Sequence, residues 1–303
     1  MFNSIYHKTC KTYKTMNKLD KRVATAQPCV AGKLPVGKFS HTSKKLSFGC
    51  FVCFVVFLLT FTGCQTELKL AKRYMAERPY IVAAVYFPEQ AEVKTEYNTQ
   101  YGRKTEVLNG FSQDLFLDVM YNAYAEAMDD YGIEVYVPEN ADNVQVDSTH
   151  WLVMLSRMEI SGRITEFEDY LYSDTEEFSY KHPLNTVNVA SWFEINDGDW
   201  KPVLFCEHNL MDGFESNTDF SIWTQKIDYT YTIDTLKLRD VYNYAVYLGK
   251  LYAGYTYDYM MNSYVGKELQ KQNYSFQVLL SYDPFKKELH YIEEDDGFVP
   301  ADN

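Results

Sequence analysis

Hydrophobic positions follow three rhythms along this chain: continuous runs, alternation at every second residue, and recurrence at every third or fourth. Leu46 to Gly63 is nearly continuous, with Lys44 and Lys45 before it and Cys64 after it. Tyr80–Phe87 is a shorter apolar, β-branched run closed by Pro88, which predicts a buried strand. The polar stretch Glu89–Gly110 predicts a loop or a small hairpin. Ser112 offers an N-cap for a helix over Gln113–Tyr131, with Gly132 just past its end. Leu115, Phe116, Val119, Met120, Ala123 and Ala127 recur at helical spacing and form its apolar face. Ile133–Val137, stopped by Pro138, predicts a second strand, and Asn140–Asp147 a turn-rich connection.

Three further strands follow. Trp151–Ile160 is almost entirely apolar and can run on through Gly162 into Ile164–Tyr172, as a bent hairpin or one long twisted strand. Thr186–Ile195 and Pro202–Leu210 flank the turn signal Asn196-Asp197-Gly198-Asp199 and complete a meander. Asp234 can then cap a helix from Thr235 to about Val265. In it Leu238, Val241, Ala245, Leu248, Tyr252, Tyr255 and Tyr259 are spaced alternately by three and four, the spacing of a heptad seam. Ala245, Gly249 and Ala253 add a stripe of small residues that permits close backbone approach. A helix of about 30 residues is roughly 45 Å long, so it either packs along the sheet or extends to a partner helix. Tyr274–Tyr282 and Leu289–Ile292 predict a final hairpin ahead of the acidic run Glu293–Asp296. The whole reads as an α+β fold: an antiparallel sheet with one packing helix in β-α-β-β-β order, a long Tyr-rich helix and a final hairpin. The expected organisation is a leader over 1–63, a tether over 64–79, an α+β domain over 80–233, and the helix with its hairpin over 234–303.

Charge changes the picture. The chain carries 29 basic and 42 acidic residues, a net charge of −13. Ten of the basic residues and one acid, Asp20, precede Cys64, so residues 64–303 hold 19 basic and 41 acidic residues, a net charge of −22. A body this acidic repels polyanions, so nucleic acid is not an expected partner. Of the six cysteines only Cys206 lies beyond Cys64, so the body has no partner for an internal disulfide, and Cys206 reads as a core residue. Twenty-five of the 27 tyrosines follow Cys64, which supports a folded body.

The basic flank, apolar run and small residue before Cys64 form a secretory signal. A transmembrane helix is the alternative, for which the run is at the short end of the roughly 17–25 residues a span needs. The 45 residues before the run exceed an ordinary signal, so a translation start nearer Leu46 is expected, with 1–45 as an extension. Phe61-Thr62-Gly63-Cys64 resembles the lipobox of bacterial lipoproteins, with Phe61 where that family usually has Leu. The resemblance implies cleavage between Gly63 and Cys64, a diacylglycerol on the Cys64 thiol, and acylation of the new amino terminus. Gln65, where Asp would favour inner-membrane retention, implies an outer-membrane lipoprotein. The lack of an acidic run just after Cys64 favours the periplasmic face over the cell surface. Lys69, Lys72, Arg73 and Arg78 would lie near the bilayer.

The β-α-β-β-β order also resembles the auxiliary lipoproteins of ABC transport. That likeness implies a non-enzymatic accessory or scaffold subunit that binds another envelope protein. The candidate surface for it is the helix seam: Leu238, Val241, Ala245, Leu248, Gly249, Tyr252, Ala253, Tyr255 and Tyr259.

Catalytic signatures are absent from the sequence: there is no Gly-x-Ser-x-Gly and no phosphate-cradling glycine loop. His150, His182, His208 and His290 form no helical zinc pair. Cys206 and His208 share a strand face, more simply as a core cysteine beside a surface or interface histidine than as a site. Glu166, Glu168, Asp169, Asp174, Glu176 and Glu177 read as the solvated face of a hairpin rather than a calcium loop or a glycosidase pair. No cofactor, metal or enzymatic activity is expected. The second functional class is a glycan-binding or glycan-processing lipoprotein, in which tyrosines with Trp192, Trp200 and Trp223 stack on sugar rings.

Overall fold

The computed structural model describes residues 68–301 apart from 140–142, 173–176, 200, 222–225, 273–279, 284–285, 287 and 292–296. The leader, Gly63 and Cys64 lie outside the described residues. Residues 68–76 form helix α1, whose start, up to Arg73, belongs to a unit of the chain separate from the one that holds Tyr74 onward. That second unit begins with β1 (Ile81–Tyr86) and three short strands, β2 (Glu92–Thr95), β3 (Tyr97–Asn98) and β4 (Arg103–Lys104). Helix α2 (Gln113–Asp130) and β5 (Ile133–Tyr136) follow. Then come β6 (His150–Tyr172), β7 (Glu177–Asn196), β8 (Val203–Met211), β9 (Gly213–Ser221) and β10 (Lys226–Asp234). Helix α3 (Leu238–Gln270) leads to β11 (Leu280–Asp283), β12 (Glu288–Tyr291) and β13 (Val299–Pro300).

The fold is α+β. The main sheet has the order β13-β8-β7-β6-β1-β5, with β2 also on β6. The meander of β6, β7 and β8 is antiparallel, while β1 runs parallel to both β5 and β6, so the sheet is mixed. The parallel pair has a local cause: β1-α2-β5 is a strand–helix–strand unit, and the helix returns the chain in the direction it left. The polar stretch after β1 holds strands β2, β3 and β4 rather than one loop.

The run from Trp151 to Tyr172 is a single strand of 23 residues. Its side chains would reverse faces along the way if pairing were regular, because apolar residues sit at Trp151, Val153 and Leu155 and then at Met158, Ile160 and Ile164. A register shift between Leu155 and Arg157 absorbs the change, so that Leu155 opposes Phe193 and Met158 opposes Ser191. The bulge keeps all six apolar side chains on one buried face and sends Arg157, Glu159 and Arg163 to the other.

Helix α2 starts where Ser112 Oγ accepts the Leu115 amide at 3.3 Å, and Gly132 follows its end with φ +69°. Helix α3 packs with α2 over the buried face of β6–β8. Tyr252, fully buried, meets Phe193 edge-on at 5.2 Å, and its hydroxyl lies 3.0 Å from Ser191 Oγ. The two helices touch backbone to backbone at Gly249. A Cβ there would stand well inside van der Waals contact of the Met120 carbonyl oxygen and 3.0 Å from Tyr124 N. The stripe Ala245, Gly249, Ala253 is thus the seam of this helix pair.

Helix α3 begins later than Asp234, which instead ends β10 opposite Gly213. Lys237 is its N-cap, and its amide donates to Asp240 Oδ2 at 3.0 Å. The helix runs past Val265 to Gln270. Lys267 on its last turn reaches the β7–β8 turn, with Nζ 2.8 Å from the buried Asp197 and 2.9 Å from Asp199. The final hairpin docks on α3, where Tyr257 packs on Tyr282 with ring centroids 5.6 Å apart and two further side chains make hydrogen bonds. Asn262 exchanges hydrogen bonds with the Leu280 backbone (2.7 and 3.0 Å), and Asp258 accepts from Ser281 Oγ (2.7 Å) and Tyr282 N (3.0 Å).

Two outcomes are expected from this packing. Gly249→Leu drives a side chain into the α2 backbone and costs about 1–3 kcal/mol or more of stability, measurable by urea unfolding. Asp258 is pushed up to about 6 by burial, above its unfolded value, so the folded protein binds its proton more tightly than the unfolded chain. The sign follows: this group adds stability at acidic pH, and the addition is lost as pH rises through about 6. Asp258→Asn is therefore expected to raise the melting temperature at pH 8 and to flatten its fall between about pH 4 and 6.

Candidate functional site

Beyond the helices, β6 and β7 continue as a two-stranded arm in which residues 163–172 pair with 177–186. β8 leaves β7 at Met211, opposite Thr186. Asp212, buried, then turns the chain. Its carboxylate accepts from Asn185 N (2.7 Å), Asn185 Nδ2 (2.9 Å) and Leu236 N (2.8 Å), while its amide donates to Asn185 O (2.9 Å). β9 and β10 pair over nine residues each and lie across the arm. Glu215, Asn217, Asp219, Thr230 and Thr232 are exposed, while Phe214, Ser216, Thr218 and Tyr229 are half-buried. This period-two pattern makes the hairpin the second layer of a small sandwich, here called the lobe.

Rings fill the space between the layers. Phe214 packs on Phe167 at 4.9 Å and on His182 at 4.7 Å. Tyr229 stacks on Tyr180 with centroids 4.1 Å apart and planes within 5°. His182 and Tyr231 meet at 4.3 Å. Among these rings lies a chain of three polar groups. Asp169 and His182 are only 5% and 6% exposed. The Tyr229 hydroxyl donates to Asp169 Oδ2 at 3.0 Å, which uses its single proton, so His182 Nε2, 2.8 Å away, donates in its turn. Burial, then the Asp169 carboxylate, pushes the Tyr229 hydroxyl far above the usual phenol range. Burial pushes the His182 imidazole down, although Asp169 pulls the other way. Both groups are neutral near pH 7 and hold their protons, so the chain fixes geometry rather than shuttling charge. At the rim Tyr180 and Tyr231 remain 39% and 52% exposed.

The carboxylates of the arm separate onto two faces. Glu166 lies opposite Asp169 and accepts from Lys181 Nζ (2.5 Å), Gln100 Nε2 (2.7 Å) and Tyr101 OH (2.9 Å), which hold it below the usual carboxylate range. Glu166 and Asp169 therefore cannot flank one substrate. Asp174 and Glu176 lie outside the described residues. Among the described residues no group of three or more His, Cys, Asp or Glu is arranged to hold a metal.

The α3 seam is used inside the chain. Val241, Ala245, Leu248, Gly249, Tyr252 and Ala253 are buried, and Leu238, Tyr255 and Tyr259 are half-buried. Tyr255 packs edge-on against Phe298 at 5.4 Å, and burial raises the Tyr259 hydroxyl to about 12. Cys206 and His208 do share a face, the one beneath α3. The thiol lies 3.9 Å from Ser191 O and is raised to about 12 by burial, and the His208 ring stands 5.9 Å from that of Tyr252. Trp192 projects from the opposite face of the sheet, while Trp200 and Trp223 lie outside the described residues. No helix among the described residues is long and apolar enough to cross a membrane.

Sequence reasoning passed over β9, β10 and the part His182 plays with them. The available signal was the alternation Tyr229-x-Tyr231-x-Ile233, which marks a strand with one covered side. No protein-family model matches this sequence, and no curated protein or solved structure matches it. What the site does must be argued from its own chemistry.

Tyr229→Phe keeps the ring stacking but removes the hydroxyl, leaving His182 and Asp169 without their shared partner. A loss of about 1–3 kcal/mol is expected for two buried groups left unpaired. It should appear as faster amide exchange in β9 and β10 with little change in α2.

Proposed function

We propose that this protein is a lipid-anchored, non-enzymatic accessory subunit of a bacterial envelope that binds another envelope protein through the lobe. The observation that carries the reading is the pair of exposed tyrosines, Tyr180 and Tyr231, held in place by the His182–Tyr229–Asp169 chain beneath them. Tyrosines already fixed in the free protein lose little entropy on binding and suit the centre of a protein interface. The seam of α3 offers no comparable surface, because α2 and the sheet occupy it. Around the tyrosines the outer face of the hairpin carries Glu215, Asp219 and Asp228, all exposed, which favours a partner with a basic surface. Acylation at Cys64, with the protein on the periplasmic side of the outer membrane, rests on the lipobox resemblance. A glycan-binding role is the second reading, favoured by the open sheet face on which Trp192 stands.

The test is photo-crosslinking in cells with a reactive residue at position 231 and, as control, at position 247 on the exposed side of α3. A discrete crosslinked protein is expected from 231 alone. Tyr180→Ala should reduce it strongly, and Cys64→Ser should abolish both the acyl mass at the amino terminus and the crosslink. An equal yield from 247, or one indifferent to Tyr180→Ala, would count against the lobe as the interface.

A further inference from the structure

We infer that the face of β6, β7 and β8 turned away from the helices is a binding trough for a neutral oligosaccharide. Its shape follows from register. Along β7 the side chains on this face are Trp192, Ala190, Asn188 and Thr186, paired on one side with β6 and on the other with β8. Ala190, Thr186 and the neighbouring Ser161 are small and buried, and they form a floor. Trp192 and Phe205, 5.0 Å apart, rise at one end, and Glu207 and Asn209, both exposed, rise along one side. From Trp192 to Asn188 the strand advances roughly 13 Å, enough for two or three pyranose rings in a row.

The polar groups along the trough match hydroxyls. Asn188 Nδ2 donates to Glu207 Oε1 (2.5 Å) and Asn209 Oδ1 (3.1 Å), and Arg163 Nη2 donates to Asn209 Oδ1 (3.3 Å). These bonds fix the two side-chain forks and turn a carboxylate and an amide side by side toward solvent, an acceptor beside a donor, as a vicinal diol requires. At the far end Thr186, only 1% exposed, closes the trough rather than lining it.

Charge selects the class of ligand. Lys94, Arg157 and Arg163 on this face are matched by Glu92, Glu159 and Glu207, and the first two cations are paired with Glu92 or Glu159. In a protein of net charge −13 this face is locally balanced, which fits a neutral polyol better than an anion or a basic peptide. Trp192 supplies the stacking surface, over which the exposed Arg157 now lies at 4.9 Å from the ring centroid. The trough lies on the main sheet, not between the layers of the lobe, so it stands or falls apart from the protein interface proposed there.

The experiment titrates the full chain in detergent with maltohexaose, cellohexaose and chitohexaose, and with a sulfated heparin hexasaccharide, by calorimetry and tryptophan fluorescence. One of the three neutral hexasaccharides is expected to bind with a dissociation constant between about 1 μM and 1 mM. Trp192→Ala and Asn209→Ala should each weaken binding by about tenfold or more, and Tyr231→Ala in the lobe should leave it unchanged. Asn209 is exposed, so its variant keeps the test valid if Trp192→Ala lowers stability. The inference is overturned if none of the neutral sugars binds, if only the sulfated one does, or if binding survives both trough variants.

Discussion

The ladder between β6 and β7 is the constraint on which the rest depends. It joins twenty residues of one strand to twenty of the other with one irregularity, at Ser156. Regular pairing throughout would have placed either Trp151, Val153 and Leu155 or Met158, Ile160 and Ile164 in water. The bulge removes that choice and divides the ladder into three uses. Its first half gives one face to the helices and the other to the polar trough, and its second half leaves the core as an arm. Each surface assigned a role above is built on this one pair of strands.

The helices answer to the same ladder. A wide, flat apolar face needs cover, and α2 alone is too narrow to provide it. Helix α3 completes the cover only because Gly249 lets the two backbones meet, and large side chains such as Tyr252 fill what remains against the sheet. The tyrosine hydroxyl is accommodated because Ser191 stands beneath it, on a strand otherwise lined by Val187, Val189 and Phe193. A seam of alternating three and four spacing therefore arises here from a helix lodged between another helix and a sheet.

Much of this was legible in the sequence. Ser112 and Gly132 bounded α2, Asn196–Asp199 marked the β7–β8 turn, and the apolar set of β6 left open a bent hairpin or one long twisted strand, of which the structure has the second. The parallel placement of β1 between β5 and β6 was not legible, because β1 is nearly all apolar and carries no alternation to reveal its neighbours. The start of α3 was misplaced because Asp234 is as good a cap by type as the turn at Lys237. What decides is tertiary: Asp212, twenty-four residues away, holds the Leu236 amide and delays the helix. The lobe escaped notice for a related reason. Its hairpin is polar on the side facing water, and its partners Asp169 and His182 lie more than forty residues upstream of Tyr229. Charged and aromatic residues at such distances look like scattered surface until the strands bring them together.

Asp212 has a mechanical consequence. One buried carboxylate holds the edge of the arm at Asn185 and the lead-in to α3 at Leu236, so the lobe and the helical cover share an anchoring point. A load applied to the lobe passes into the β6–β7 ladder as shear, spread over many hydrogen bonds at once, and into the start of α3 through Asp212. Joined in this way, the lobe and the helical cover move as one stiff piece, so a displacement of either is felt by the other.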